Sequence, residues 1–214
     1  MALEFDRDFW DEHWGEAGAT VRSSEPSPHL LREVGDLTPG FALDAGCGEG
    51  AEAIWLADRG WTVTAADISR AALSRAADRA TRAGAASDRI DWTECDLGIW
   101  SPGRQFDLVT THYAHLPTSQ LAFYERISEW VAPGGTLLIV GHLQSSGTAE
   151  HGHRHGHGGH PPAEATVTAE SVTALLAPDR WRIETAAEPV REITTDDGTH
   201  ATIGDVVVRA TRLR

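Results

Sequence analysis

The chain of 214 residues contains no lysine: all 18 basic side chains are arginine, against 32 aspartates and glutamates, for a formal net charge of −14. Proteins that grip a phosphate backbone gather positive charge on one face, and polybasic attachment to an anionic leaflet needs clustered cations. No run of arginines provides either, so neither nucleic acid nor membrane is expected as a partner. Long apolar runs are also missing. The longest strongly apolar stretch, residues 137–140, falls far short of the ~20 residues that cross a bilayer. Residues 1–10 carry acids and aromatics, not the basic flank and apolar run of a signal peptide. Cysteine is scarce: Cys47 and Cys95 alone cannot build a disulfide framework for a chain of this size, and they read as reduced thiols. The expectation is a cytoplasmic protein, monomer or homodimer.

What is present is ordinary globular material, 41% hydrophobic and 23% charged, enough for one domain over residues 1–214. From Phe41 onward short apolar runs alternate with helical patterns. Strands are expected over 41–45, 61–66, 90–95, 106–111 and 136–141. The intervening helices are a segment over 51–59 stopped by Gly60, and an alanine-rich one capped by Ser69, carrying Leu73, Ala76, Ala77 and Ala80 and ending at Gly84. A third opens at Pro117-Thr118, with Leu121, Tyr124, Ile127 and Val131 on one stripe, until Pro133-Gly134-Gly135 breaks it. Thr168 caps a short helix, and segments 181–193 and 201–211 form a hairpin through Asp197-Gly198, with Pro189 marking an edge or bulge. Strands separated by helices imply parallel pairing and right-handed crossovers. The fold class is α/β: a three-layer sandwich around a doubly wound, seven-stranded, mostly parallel sheet with a C-terminal antiparallel hairpin. Residues 1–35 form a helical cap, and 144–166 an unusually long loop of Gly, Ser, His and Pro. Trp55, Trp92 and Trp130 are expected in the core.

The segment Leu43-Asp44-Ala45-Gly46-Cys47-Gly48-Glu49-Gly50 lies between an expected strand and an expected helix. Its glycines allow a tight turn and close approach of a ligand, with the free N–H groups of the next helix facing it. The second strand ends at Asp67, where doubly wound folds place an acid that accepts both hydroxyls of a ribose. The third ends in Glu94-Cys95-Asp96-Leu97. Asp44, Asp67 and Asp96 then ring one crevice at the carboxyl ends of the strands. A nicotinamide dinucleotide fits poorly, because its pyrophosphate is anionic and prefers a G-x-G-x-x-G helix start with few acids. The rim suits a ligand with an amino group, a ribose and a positive centre.

The motif order LDAGCGEG (43–50), TAADIS (64–69), ECDL (94–97), FDLVTTHY (106–113) and PGGTLLIVGH (133–142) resembles that of class I S-adenosylmethionine-dependent methyltransferases, from about Phe9 to the last strand. The resemblance implies a Rossmann-like fold, S-adenosylmethionine as cofactor, S-adenosylhomocysteine as product, and methyl transfer to a small-molecule acceptor. It implies that the backbones of Gly46, Cys47 and Gly48 border the methionine part, that Asp44 assists its amino group, and that Asp67 holds the ribose. Ile68 and Leu97 would pack on the adenine, Asp96 bond its amino group, and His112 sit beside the methionine moiety. Residues 9–14, with Trp10 and Trp14, resemble the N-terminal lid helix of small-molecule members. The linker that follows, Val21-Arg22-Ser23-Ser24-Glu25-Pro26-Ser27-Pro28, departs from the aromatic-glycine pair and asparagine of some relatives. Cofactor motifs do not specify an acceptor, so a cofactor-bound cyclase or binding module is the alternative.

Five of the 11 histidines fall between 151 and 160. Neutral imidazoles bind transition metals, but alternation with Gly and Arg offers neither rigid geometry nor a supporting shell. No metal site is expected there, and a metal-sequestering role stays as a rival. His115 and His142 follow the fourth and fifth strands at the crevice edge. They are the candidate catalytic residues, as bases for a hydroxyl acceptor.

Overall fold

The computed structural model describes residues 6–16, 25–84, 87–144, 165–194 and 200–214, with side chains left undescribed at 13–16, 87, 193–194 and 200–201. The histidine run and the Asp197-Gly198 turn lie outside the described residues, as does the side chain of Trp14.

Five strands run parallel: β1 (Phe41–Ala45), β2 (Thr62–Asp67), β3 (Ile90–Glu94), β4 (Phe106–His112) and β5 (Val131–Leu143). Two-residue β6 (Thr166–Val167) extends β5, and β7 (Trp181–Ala187), β8 (Val190–Thr194) and β9 (His200–Arg212) complete the sheet. The spatial order is β3-β2-β1-β4-β5-β9-β7, with β9 antiparallel to both neighbours. The order reverses between β1 and β4, which opens a crevice at their carboxyl ends.

Side-chain alternation along the strands builds the two faces. Leu137 and Ile139 of β5 and Val206 and Val208 of β9 pack with Phe123, Tyr124 and Ile127 of α5 (Gln120–Ser128) and Val172 of α6 (Ala169–Thr173). Leu138, Val140 and Val207 point the other way. They meet Leu30 and Val34 of α2 (Pro28–Val34), Ile54 and Leu56 of α3 (Ala51–Asp58), and Leu73 and Ala80 of α4 (Arg70–Ala83). The described residues include no helix long and apolar enough to cross a membrane.

Three expectations need correction. The strand expected over 181–193 is interrupted at Glu188-Pro189 into β7 and β8, both paired to β9; proline lacks the N–H that an unbroken ladder needs. The third expected helix starts later, with Ser119 Oγ accepting from the Ala122 N–H, and it ends before Val131. Val131 instead opens β5, paired with Phe106, and the ladder resumes only at Leu108 and Thr136. A bulge thus carries Pro133-Gly134-Gly135 past β4. Trp130 is core as expected, whereas Trp55 and Trp92 are partly buried against the second cluster. The Ser69 cap and the left-handed Gly84 that ends α4 lie where the sequence places them.

Candidate functional site: an acid-rimmed crevice at the sheet switch point

Gly46, Gly48 and Gly50 all take left-handed backbone angles, φ +80, +50 and +76. A methyl at Gly46 would run into the Cβ of Ala114, and one at Gly50 would meet the Trp92 ring at 2.6 Å. Gly46 thus lets β1 turn beneath the segment leaving β4, and Gly50 serves packing. The N–H groups of Gly46 and Cys47 donate to Ala66 O at 2.8 and 3.1 Å. That of Gly48 donates to Asp67 Oδ2 at 2.8 Å, and that of Ala53 to Asp44. The turn's own donors at 46–48 are thus spent within the fold, and of the first helical N–H groups expected to face a ligand that of Ala53 is taken by Asp44. Such a turn suits a cation and not a pyrophosphate.

Above the turn lies a cavity of about 670 Å³, within the range of small-molecule sites. Gly46, Cys47, Gly48, Asp67, Ile68, Asp96, Leu97, His112, His115, His142 and Trp10, all expected site residues, line it. Asp44 lies just behind, 1% exposed, with Oδ2 lacking any hydrogen-bond partner. Burial, with Glu52 and Asp67 nearby, holds its carboxyl well above the usual carboxylate range. An ammonium group placed there would complete its bonding and restore its charge. Asp67 is also raised by burial, although the N–H groups of Ser69, Gly48 and Ile68 favour its ionised form. Asp96 Oδ1 accepts from Gly98 N–H at 2.8 Å.

Helix α1 (Arg7–Glu16) brings Phe9 and Trp10 to the cavity, with the two rings edge to face at 5.1 Å. It is fastened by Ser69 Oγ donating to Asp11 Oδ1 at 2.6 Å and by an Arg7–Glu94 ion pair. Helix α2 is pinned to the sheet by Thr185 donating to Glu33 at 2.8 Å and by His29 Nε2 on Asp205 at 3.0 Å.

The remaining wall is built from the ends of β4 and β5 and from β8. His112 Nε2 pairs with Thr110 Oγ1 at 2.8 Å, and its buried Nδ1 has no partner. Tyr113 follows in the left-handed region, φ +53. Its ring lies 4.7 Å from that of His142, which stacks on His115 at 5.6 Å. Burial depresses all three histidines, His142 to about 4, so they are neutral at pH 7. The thiols of Cys47 and Cys95 are pushed up by burial, Cys95 to about 12, and are not thiolates. Among the described residues no group of three or more His, Cys, Asp and Glu side chains could hold a metal ion.

Sequence reasoning missed His29, Arg191 and Asp205. Arg191 Nε donates to Asp205 Oδ2 at 2.8 Å, and Asp205 is fully buried. Asp205 carried a signal: it is an acid opening the apolar run Val206-Val207-Val208. His29 and Arg191 carried none, since their partner is remote in sequence.

Comparison with known proteins bears on this crevice. A methyltransferase domain family matches residues 42–135, the part of the chain that holds the glycine turn and the three acids. A probable thiol methyltransferase 2 from Arabidopsis thaliana is 32% identical over 138 residues, covering 61% of this chain. The chain spans only 60% of that relative's length. Among solved structures, one from work on converting a disulfide bond into a thioacetal group during echinomycin biosynthesis superposes with a TM-score of 0.70 at 20% identity, covering 97% of this chain and 91% of its own. The N-methyltransferase NodS from Bradyrhizobium japonicum WM9, solved with S-adenosyl-L-homocysteine, gives 0.67 at 16% identity, covering 95% and 98%. At such identities the likeness speaks for the fold. The family match over residues 42–135 and the sheet order make this chain similar to S-adenosylmethionine-dependent methyltransferases, with the acid-rimmed crevice inside the matched part.

Proposed function

We propose that the protein transfers the methyl group of S-adenosylmethionine to a small-molecule acceptor. The observation that carries this reading is the cavity at the sheet switch point, with Asp67 and Asp96 on its wall and Asp44 just behind. Tyr113, His115, His142 and Arg191 line the same cavity, and this reading assigns them to the acceptor. When bound, S-adenosylmethionine supplies an electrophilic methyl on a sulfonium centre.

In this reading the unpartnered Asp44 carboxylate meets the ammonium of the methionine part. Asp67 holds the ribose hydroxyls, Ile68 and Leu97 enclose the adenine, and Asp96 accepts from its amino group. His112 flanks the methionine moiety beside the backbones of Gly46, Cys47 and Gly48. Trp10 closes the cavity from α1 and excludes water, and catalysis comes chiefly from holding acceptor and methyl in line. The thiol named for the plant relative supports a small acceptor, and two buried free cysteines accord with a reducing cytoplasm.

The test is calorimetry with S-adenosylmethionine and S-adenosylhomocysteine, followed by an acceptor screen read by S-adenosylhomocysteine formation. Binding plus turnover is expected. Absence of binding by folded protein overturns the cofactor assignment, and binding without turnover on any acceptor favours a cyclase or binding module.

A further inference from the structure

Resting on the methyl-transfer reading, the acceptor end of the cavity carries one more step. Two arginines line the cavity. Arg79 of α4 is tied to the glycine turn, with one amino group on Glu49 O at 3.3 Å. Arg191 of β8 stands on the opposite wall with its side chain 41% exposed. Its Nε edge is taken by Asp205, and its guanidinium lies 5.7 Å from the centre of the Tyr113 ring. The fork also hydrogen-bonds the Tyr113 hydroxyl, and its remaining Nη donors are the part that a ligand can reach.

Asp205 is an expensive residue to bury. It sits in β9 ahead of Val206, Val207 and Val208, all at 0% exposure, where an apolar side chain would pack without desolvating a charge. Its Oδ2 takes both His29 Nε2 from α2 and Arg191 Nε from β8, while its buried Oδ1 has no hydrogen-bond partner. Its placement fixes the direction of a cation at the cavity wall.

The groups facing Arg191 are Asp205, the Tyr113 hydroxyl and His142, with His29 beyond the carboxylate. Removing a proton from an amine or phenol calls for a base matched to neutral pH. Both imidazoles beside Tyr113 are neutral and weakly basic, suited to polar contact and not to deprotonation. A thiol is mostly protonated at neutral pH but can lose its proton to solvent, and its anion is the reactive nucleophile; a cation at the wall would select that anion without a protein base.

We propose that the acceptor is a small thiolate whose charge is met by the Arg191 guanidinium, with Asp205 the positioning residue that holds this guanidinium at the cavity wall. The thiolate lone pair forms the new sulfur–carbon bond to the donor's methyl as the sulfonium–methyl bond breaks. The departing electron pair stays on that sulfur, which becomes a neutral thioether. The thiol's proton has passed to solvent before this step; in the step one negative and one positive charge cancel, and S-adenosylhomocysteine and a methyl thioether leave. Because the anion loses charge on the way to the transition state, Arg191 favours the bound acceptor more than the transition state. Its loss therefore falls on KM rather than kcat.

The experiment measures S-adenosylhomocysteine formation by the full chain with S-adenosylmethionine and 1-propanethiol, 1-propylamine or phenol. Propanethiol is expected to turn over at least tenfold faster than the other two. The acid limb of kcat/KM should move to lower pH with the more acidic 2,2,2-trifluoroethanethiol. Arg191→Gln should raise the thiol KM tenfold or more with kcat changed less than threefold, Arg191→Lys should recover part of it, and Asp205→Asn should fall between. Arg191 is partly exposed, so its variants keep the test sound if Asp205→Asn fails to fold. Preference for the amine or phenol, an acid limb identical for both thiols, or an unchanged KM in Arg191→Gln overturns the thiolate assignment while S-adenosylhomocysteine binding persists. Failure of the wild type to bind S-adenosylhomocysteine overturns the methyl-transfer reading itself.

Discussion

The Gly48 N–H donates to Asp67 Oδ2 at 2.8 Å while Asp67 Oδ1 accepts from Ser69 N–H at 2.9 Å. One carboxylate thus joins the turn after β1 to the start of α4. Asp67→Ala should weaken S-adenosylhomocysteine binding by about 1.5–3 kcal/mol, as for hydrogen bonds to a charged group, which is roughly a ten- to hundredfold rise in Kd. Isothermal titration checks it. Wild-type affinity in the variant would mean that Asp67 holds the turn alone and not the ribose.

Two left-handed glycines separate backbone strain from crowding. Gly84, φ +63, has open space where a side-chain methyl would go, with nothing within 4 Å, whereas Gly46, φ +80, faces Ala114. Gly84→Ala should cost about 1 kcal/mol, the left-handed penalty alone. Gly46→Ala should lose more than about 2 kcal/mol as strain and collision combine, with cofactor binding lost as well. Urea midpoints for the two variants test the ordering, and equal losses would refute it.

Helix α1 is latched by Asp11 on Ser69 and by Arg7 on Glu94, which also accepts from Arg70 at 2.8 Å. Hydrogen exchange should show residues 7–16 gaining protection when S-adenosylhomocysteine is added, with Asp11→Ala cutting that gain. Protection changes confined to residues 43–70 would leave α1 a packing element and not a lid.

Acidity should act on the fold through His142. Burial places it at about 4 against an ordinary 6.5, so the folded state accommodates the neutral ring. The stability this implies is present above pH 6.5 and lost as pH falls toward 4, by up to about 3 kcal/mol. Asp44 and Asp67 are raised by burial and so act in the opposite sense, the fold gaining as they protonate. The informative quantity is therefore the difference between wild type and His142→Gln. Between pH 7 and 4.5 the wild-type urea midpoint should fall more steeply. Parallel curves would sink the prediction.

Much of the acid-rimmed part of the crevice, proposed for the cofactor, was legible because its signals are local. Ser69 and Gly84 mark both ends of α4, and the acids at 44, 67 and 96 stand at strand ends that alternation alone locates. The wall around Arg191, proposed for the acceptor, was not. His29 and Asp205 are 176 positions apart and meet only because β9 inserts beside β5. The stripe that carried the third helix on to Val131 misled for a related reason. The spacing of three and four continues through it, but the pairing of Val131 with Phe106 claims that residue for the sheet. Pro189 was informative, since its missing N–H interrupts a ladder whatever the partner.

The place of β9 has a consequence for synthesis. It lies between β5 and β7, both made earlier, so the sheet cannot become continuous until residues near 200–212 leave the ribosome. A nascent chain that ends before β9 has the glycine turn and all three rim acids, but lacks Asp205, the anchor for both His29 and Arg191. In vectorial folding the acid-rimmed part is therefore complete first, and the wall that carries Arg191 is set by the last strand to arrive.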